Sequence, residues 1–234
     1  MKVYFLSLHL IKLNIKSLFI VRSMNQSPKV IVFDAFGTLV KIGESRSPYR
    51  KLMKWLKSNG RNPSAQDAKI IMSNPVDVAQ LAKIFGADLP EQLLKEINHD
   101  LQLELSTIQL YEDTVPTFQI LKESGFKIAL CSNLAMPYGE QLRKLLPDVF
   151  DTVVFSYEVG AIKPEPQIYE VIQAHFGCEF SEMIFIGDHP ILDVKTPSSL
   201  GMSARLIERH KNQKLFDVMG DLILPYYFRS HSCQ

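Results

Sequence analysis

Cysteine is scarce in these 234 residues. Cys131, Cys178 and Cys233 lie far apart and match no disulfide framework or metal-ligand spacing. Cys131 falls inside an apolar run and reads as a small core residue, and the set fits a reducing cytoplasm. The six histidines are also scattered, with no pair at metal-ligand spacing. Charge of one sign is missing as well. The net charge is +1, and residues 1–23 hold Lys2, Lys12, Lys16 and Arg22 with no acid, which leaves 22 bases against 25 acids in the rest. A mildly acidic body gives no support for nucleic-acid binding. There is no internal repeat and no low-complexity tract.

The apolar run at residues 3–11 is too short to span a bilayer, and Lys12 and Lys16 interrupt the residues after it. A signal peptide would need a small-x-small cleavage site, which is missing, and a basic amphipathic helix on a membrane surface is the other elaborate reading. The simpler one takes Met24, ahead of the polar Asn25-Gln26-Ser27-Pro28, as the working start, so that residues 1–23 are an extension outside the fold. No stable membrane association is expected.

The chain does have 46% hydrophobic and 22% charged residues, the balance of a globular protein with room for one large domain, or a core with a second small unit. Its organising stretch is Lys29-Val30-Ile31-Val32-Phe33-Asp34-Ala35-Phe36-Gly37-Thr38-Leu39-Val40. An apolar run without polar interruption reads as a strand buried on both faces, hence a parallel sheet covered by helices. Asp34 ends that strand, where open α/β sheets bind ligands. Gly37 turns the chain away at once, and Thr38 puts a hydroxyl next to the carboxylate.

Helical periodicity then covers residues 48–57, 64–72, 76–85 and 90–105, so 41–111 reads as an all-helical insert. Beyond it, strands at 126–131, 152–156, 183–187 and 203–207 alternate with helices at 114–124, 137–146, 164–176 and 191–200, the last despite Pro197. Strands separated by single helices are βαβ units of a parallel sheet. The expected architecture is α/β: a Rossmann-like three-layer core of residues 24–40 and 112–234, carrying the helical insert as a cap. Residues 226–234 read as loosely held.

Polar groups come directly after three of the apolar strands: Asp34 with Thr38, Ser132 with Asn133, and Asp188 with Asp193. A parallel sheet brings these strand ends to one edge. Lys163, just ahead of a helix, faces the same edge. Taken singly, Ser132 and Asn133 are turn formers, Lys163 a solvated lysine, and Asp188 and Asp193 helix caps. Together they converge.

Asp34-Ala35-Phe36-Gly37-Thr38-Leu39, Ser132-Asn133, Lys163-Pro164 and Gly187-Asp188 with Asp193 resemble, in order, the four motifs of the haloacid dehalogenase superfamily, over roughly residues 29–210. The resemblance implies that Asp34 is a nucleophile forming a covalent intermediate that water cleaves. It implies that Ser132, with Thr38 and Asn133, meets the transferring group and that Lys163 neutralises charge on it. Asp34, the carbonyl of Phe36, Asp188 and Asp193 would hold Mg2+, a cation suited to oxygen ligands.

One departure bears on the chemistry. Phosphatases of this superfamily carry a second aspartate, acting as acid and base, where this chain has Phe36. A positioned proton donor is worth ~10²–10⁴-fold, so ordinary phosphate monoesters should turn over poorly. The 2-haloacid dehalogenase branch has an aromatic residue there, and Tyr169 also matches its pattern, with Arg46 a candidate for a substrate carboxylate. Asp188 points the other way, because that branch works without metal and has a small polar residue at this position. Three carboxylates facing one lysine would repel each other and raise a pKa, which Mg2+ relieves. The preferred reading is therefore Mg2+-dependent hydrolysis of a phosphorylated small molecule with a good leaving group, such as an acyl phosphate, with His189 a candidate proton source. Dehalogenation is the alternative. Two others remain: a C–P hydrolase of the phosphonoacetaldehyde type, needing a Schiff-base lysine such as Lys51, Lys54 or Lys57, and a non-catalytic binding module.

Overall fold

The computed structural model describes residues 29–231, so the extension at 1–23 and the start at Met24 lie outside the described residues. Strands run in chain order as β1 (Val30–Phe33), β2 (Val40–Ile42), β3 (Ile108–Leu110), β4 (Lys127–Ser132), β5 (Thr152–Phe155), β6 (Met183–Gly187) and β7 (Ser203–Leu206). Five of them form a parallel sheet in the order β5-β4-β1-β6-β7. This is the Rossmann-like α/β core the apolar strand runs predict.

The two-residue period of a strand explains the three layers. Ile31 and Phe33 of β1, with Ile128, Leu130, Ile184 and Ile186, feed the core on one face of the sheet. Val30 and Val32 join Ala129, Cys131, Met183 and Phe185 on the other, beneath Ile168, Tyr169 and Ile172 of the helix Pro166–Phe176. Every residue of β1 and β6 is buried, as central parallel strands require.

Between β2 and β3 lie the helices Pro48–Ser58, Asp67–Met72, Val78–Ile84 and Glu91–Ser106. The insert read as all-helical over 41–111 therefore has a different base: β2 and β3 pair antiparallel, Val40 opposite Leu110 and Ile42 opposite Ile108. Three-residue strands are too short for alternation to be visible in sequence. The insert meets the core again through Lys69 and Glu165, whose Nζ and Oε1 are 2.5 Å apart. Ser156 adds a 2.6 Å hydrogen bond from its hydroxyl to the carbonyl of Met72.

Two further differences have local causes. The single helix predicted over 191–200 is a π-helical turn, Pro190–Lys195, followed by the short helix Thr196–Ser199. Pro197 has no N–H and fits only a first helical turn, so the helix restarts there. The helix Leu215–His231, with Leu215, Met219 and Ile223 on its buried face, extends through residues 226–231 where no element is expected. No described helix is long and apolar enough to cross a membrane.

Candidate active site

The β1 strand delivers Asp34 to the C-terminal edge of the sheet, and the Asp34 N–H is held by the Ile186 carbonyl at 2.9 Å. Its carboxylate is buried. Oδ1 accepts from the Ser132 hydroxyl at 3.1 Å, off the end of β4, and from Lys163 Nζ at 2.7 Å. The same ammonium donates to Asp193 Oδ1 at 2.6 Å, while the His189 N–H holds Asp193 Oδ2 at 2.9 Å. Lys163, a solvated surface residue by sequence alone, has a side chain only 2% exposed.

Two glycines make this approach possible. Gly37 has φ of +74°, and a Cβ there would fall 2.0 Å from Asp188 Oδ2. A Cβ on Gly187 would fall 2.3 Å from Asp193 Cγ. Any side chain at either position would push a carboxylate out of the cluster.

Asp34, Asp188 and Asp193 each offer a carboxylate oxygen, and these oxygens all lie within 4.8 Å of one another. Burial pushes the Asp34 pKa up to about 6; Lys163 opposes this, and Asp193 and Asp188 add to it. Burial and Asp193 likewise raise Asp188. Burial works against the charge on Lys163, but Asp34 and Asp193 outweigh it and hold the ammonium above the ordinary lysine value. Three carboxylates thus share one fixed cation, a surplus of negative charge that an oxygen-seeking divalent ion would balance. The donor set fits Mg2+.

The remaining candidates fall in different places. Asn133 gives its whole side-chain amide to Lys163, Oδ1 accepting from the Lys163 N–H at 2.7 Å and Nδ2 donating to its carbonyl at 2.8 Å. Its side chain positions the lysine rather than facing open space. Thr38 does not put its hydroxyl on Asp34; the residue is fully buried and Oγ1 has no hydrogen-bond partner among the described residues. Its carbonyl is instead fixed by the Arg209 guanidinium, Nη2 at 2.6 Å and Nε at 3.1 Å. Arg46 is turned to Glu44, 2.6 Å away on the exposed linker into the insert. His189 accepts the Ile191 and Leu192 N–H groups at Nδ1, capping the turn that carries Asp193. Lys51 pairs with Asp100.

Phe36 lies edge-on to Tyr138, with centroids 5.9 Å apart, and Tyr138 in turn sits 6.2 Å from Tyr49 of the insert. Tyr138, its partner Glu104 and Arg209 have no signal in the sequence, because each acts through contacts made far along the chain. Tyr169 is fully buried, and its hydroxyl donates to the Leu192 carbonyl at 2.5 Å, steadying the turn before Asp193.

Comparison with known proteins agrees with the fold. Over 172 residues the chain is 30% identical to the glyceraldehyde 3-phosphate phosphatase of Methanopyrus kandleri, covering 71% of this chain and 68% of the relative. A crystal structure of a HAD phosphatase from Thermococcus onnurineus superposes with a TM-score of 0.52 at 28% identity, over 80% of this chain and 89% of that one. A HAD family enzyme of Bacteroides thetaiotaomicron, crystallised with magnesium and inorganic phosphate, shares the fold at a TM-score of 0.57 and 18% identity, over 78% of this chain and 95% of that one. Residues 28–201 match the family model of the haloacid dehalogenase-like hydrolases, and the chain belongs to that family of hydrolases.

Proposed function

We propose that this chain hydrolyses a phosphorylated small molecule by covalent attack from Asp34, in a Mg2+-dependent reaction and a cytoplasmic setting. The observation that carries the reading is the pinning of Asp34 Oδ1 by Ser132 and Lys163, with Asp188 and Asp193 close enough to share a cation. Asp34, Asp188, Asp193 and the Phe36 carbonyl would hold Mg2+, which when bound offsets charge on the phosphate and keeps the carboxylates ionised.

The side chains do the rest. With Oδ1 fixed, Asp34 Oδ2 attacks phosphorus, and the bond from phosphorus to the leaving oxygen breaks, its electron pair departing with the leaving group. Water then attacks the same phosphorus, the Asp34–phosphorus bond breaks, and the carboxylate is restored as the water's proton passes to solvent. Lys163 and the Ser132 hydroxyl stay within reach of the phosphoryl oxygens through both steps. Asn133 keeps the Lys163 main chain in place, and Asp193 orients its ammonium.

Phe36 sets the leaving-group preference. Hydrocarbon occupies the position two residues after the nucleophile, and its neighbour Tyr138 directs its own proton to Glu104. Leaving groups that depart as stable anions, as from acyl or aryl phosphates, are therefore favoured over alkoxides.

Phe36 also favours a second reading, halide displacement from a 2-haloacid, since halide leaves without a proton. Against it, Tyr169 is committed to the Leu192 carbonyl and Arg46 to Glu44, while Asp188 adds a carboxylate that dehalogenation does not need. Parallel phosphate-release and halide-release panels, each with Mg2+ and with EDTA, separate the two. Phosphate release abolished by EDTA is expected; chloride release from 2-chloropropionate that survives EDTA would overturn the proposal.

A further inference from the structure

Glu104 stands in the last turn of the helix Glu91–Ser106, the negative end of the helix dipole and an unfavourable place for a carboxylate. It is nonetheless 3% exposed, and no basic side chain pairs with it among the described residues. Its oxygens take hydrogen bonds from four donors. Oε2 accepts from the Ser45 hydroxyl at 3.2 Å, from the Arg46 N–H and from the Ser47 N–H at 2.8 Å, and Oε1 from the Tyr138 hydroxyl at 2.5 Å. Burial pushes its pKa up, but these donors outweigh burial and hold it below the ordinary glutamate value.

The four donors come from two separate bodies of structure. Ser45, Arg46 and Ser47 form the linker from β2 into the insert's first helix, and Tyr138 belongs to the core helix Met136–Leu145. Ser47 has φ of +52° directly ahead of Pro48, a conformation side-chain-bearing residues rarely adopt and proline disfavours in the residue before it. Its N–H, fixed in that conformation, is one of the groups Glu104 holds. The next residue but one is Tyr49, whose ring meets Tyr138, and Tyr138 backs Phe36 beside Asp34. One carboxylate therefore holds two of the three rings of the Phe36-Tyr138-Tyr49 wall, the outer Tyr49 through the linker into the insert and the central Tyr138 through the core.

We propose that Glu104 is a positioning residue that seats the helical insert on the core and sets the aromatic wall against which the substrate's leaving group packs. The part concerning substrate rests on the phosphatase reading above; the seating does not.

Glu104→Gln, which keeps an acceptor oxygen, and Glu104→Ala are compared with wild type on 4-nitrophenyl phosphate with Mg2+. Loss of bonds to a charged acceptor corresponds to about a tenfold effect, so KM for the ester is expected to rise about tenfold in Glu104→Ala and to be largely rescued in Glu104→Gln. Inhibition by inorganic phosphate should be unchanged, because phosphate is held by Ser132 and Lys163. Hydrogen exchange gives a readout free of turnover: Glu104→Ala should loosen residues 44–50 and 136–140 together, and Glu104→Gln should largely restore both. A kcat that falls with KM and phosphate inhibition unchanged, or exchange that quickens in only one of the two segments, overturns the proposal. If wild type releases no phosphate from any ester, the phosphatase reading falls and hydrogen exchange alone decides the seating.

Discussion

Gly37 and Asp188 occupy space that a single methyl group would deny them, since a Cβ on Gly37 would lie 2.0 Å from Asp188 Oδ2. Gly37→Ala is thus expected to displace Asp188 and to force a side chain into left-handed backbone at a cost of about 1–2 kcal/mol. Displacing one carboxylate of the set should weaken Mg2+ binding by about 10–100-fold, the range seen for groups that orient a metal site. Calorimetric Mg2+ titration of the folded variant checks this. Affinity equal to wild type would place the metal elsewhere.

Phe36 is the position where chemistry and sequence part company. Phe36→Asp puts a carboxyl group two residues after the nucleophile and is expected to raise turnover of alkyl phosphates by ~10²–10⁴-fold, with less gain for acyl and aryl phosphates. The measurement is kcat/KM across phosphate esters of graded leaving-group acidity. Wild type should show a steep dependence and the variant a shallow one. A wild-type rate indifferent to the leaving group would contradict the role given to Phe36.

The convergence of Asp34, Ser132, Lys163, Asp188 and Asp193 is legible in the sequence because a parallel sheet puts strand ends on one edge, and each of these residues lies at a strand end or on a loop above it. Strands buried on both faces are legible from their unbroken apolar runs. Other features are not. The β2-β3 ribbon is too short to show a period. Asn133 looks like a turn former until its amide is seen on the Lys163 main chain 30 residues away. Thr38 reads as a neighbour of the carboxylate, yet its carbonyl, held by Arg209 from 171 residues on, is the group that fixes the loop. Long-range contacts of this kind leave no local pattern.

Asp34, raised to about 6 by burial and its acidic neighbours, gives the metal-free protein a measurable proton. A carboxyl group whose folded pKa is raised keeps its proton to higher pH, so the stability it contributes is present in full below about pH 4 and lost as pH rises through about 6. Mg2+ requires the ionised form and must displace that proton. Mg2+ binding near pH 5.5 is expected to release on the order of one proton per chain, and near pH 8 almost none. Calorimetry in buffers of different ionisation enthalpy reads the number. Release that does not change across this range would mean the carboxylates bind no metal.

The most direct test looks for the covalent intermediate. Mg2+-loaded protein is mixed with acetyl phosphate, quenched in acid at short times, digested and examined by mass spectrometry. The expected result is a phosphoryl adduct on Asp34 that forms and decays at rates matching phosphate release, with neither adduct nor release in Asp34→Asn. Turnover by wild type without an adduct on Asp34, or full phosphate release by Asp34→Asn, would contradict it.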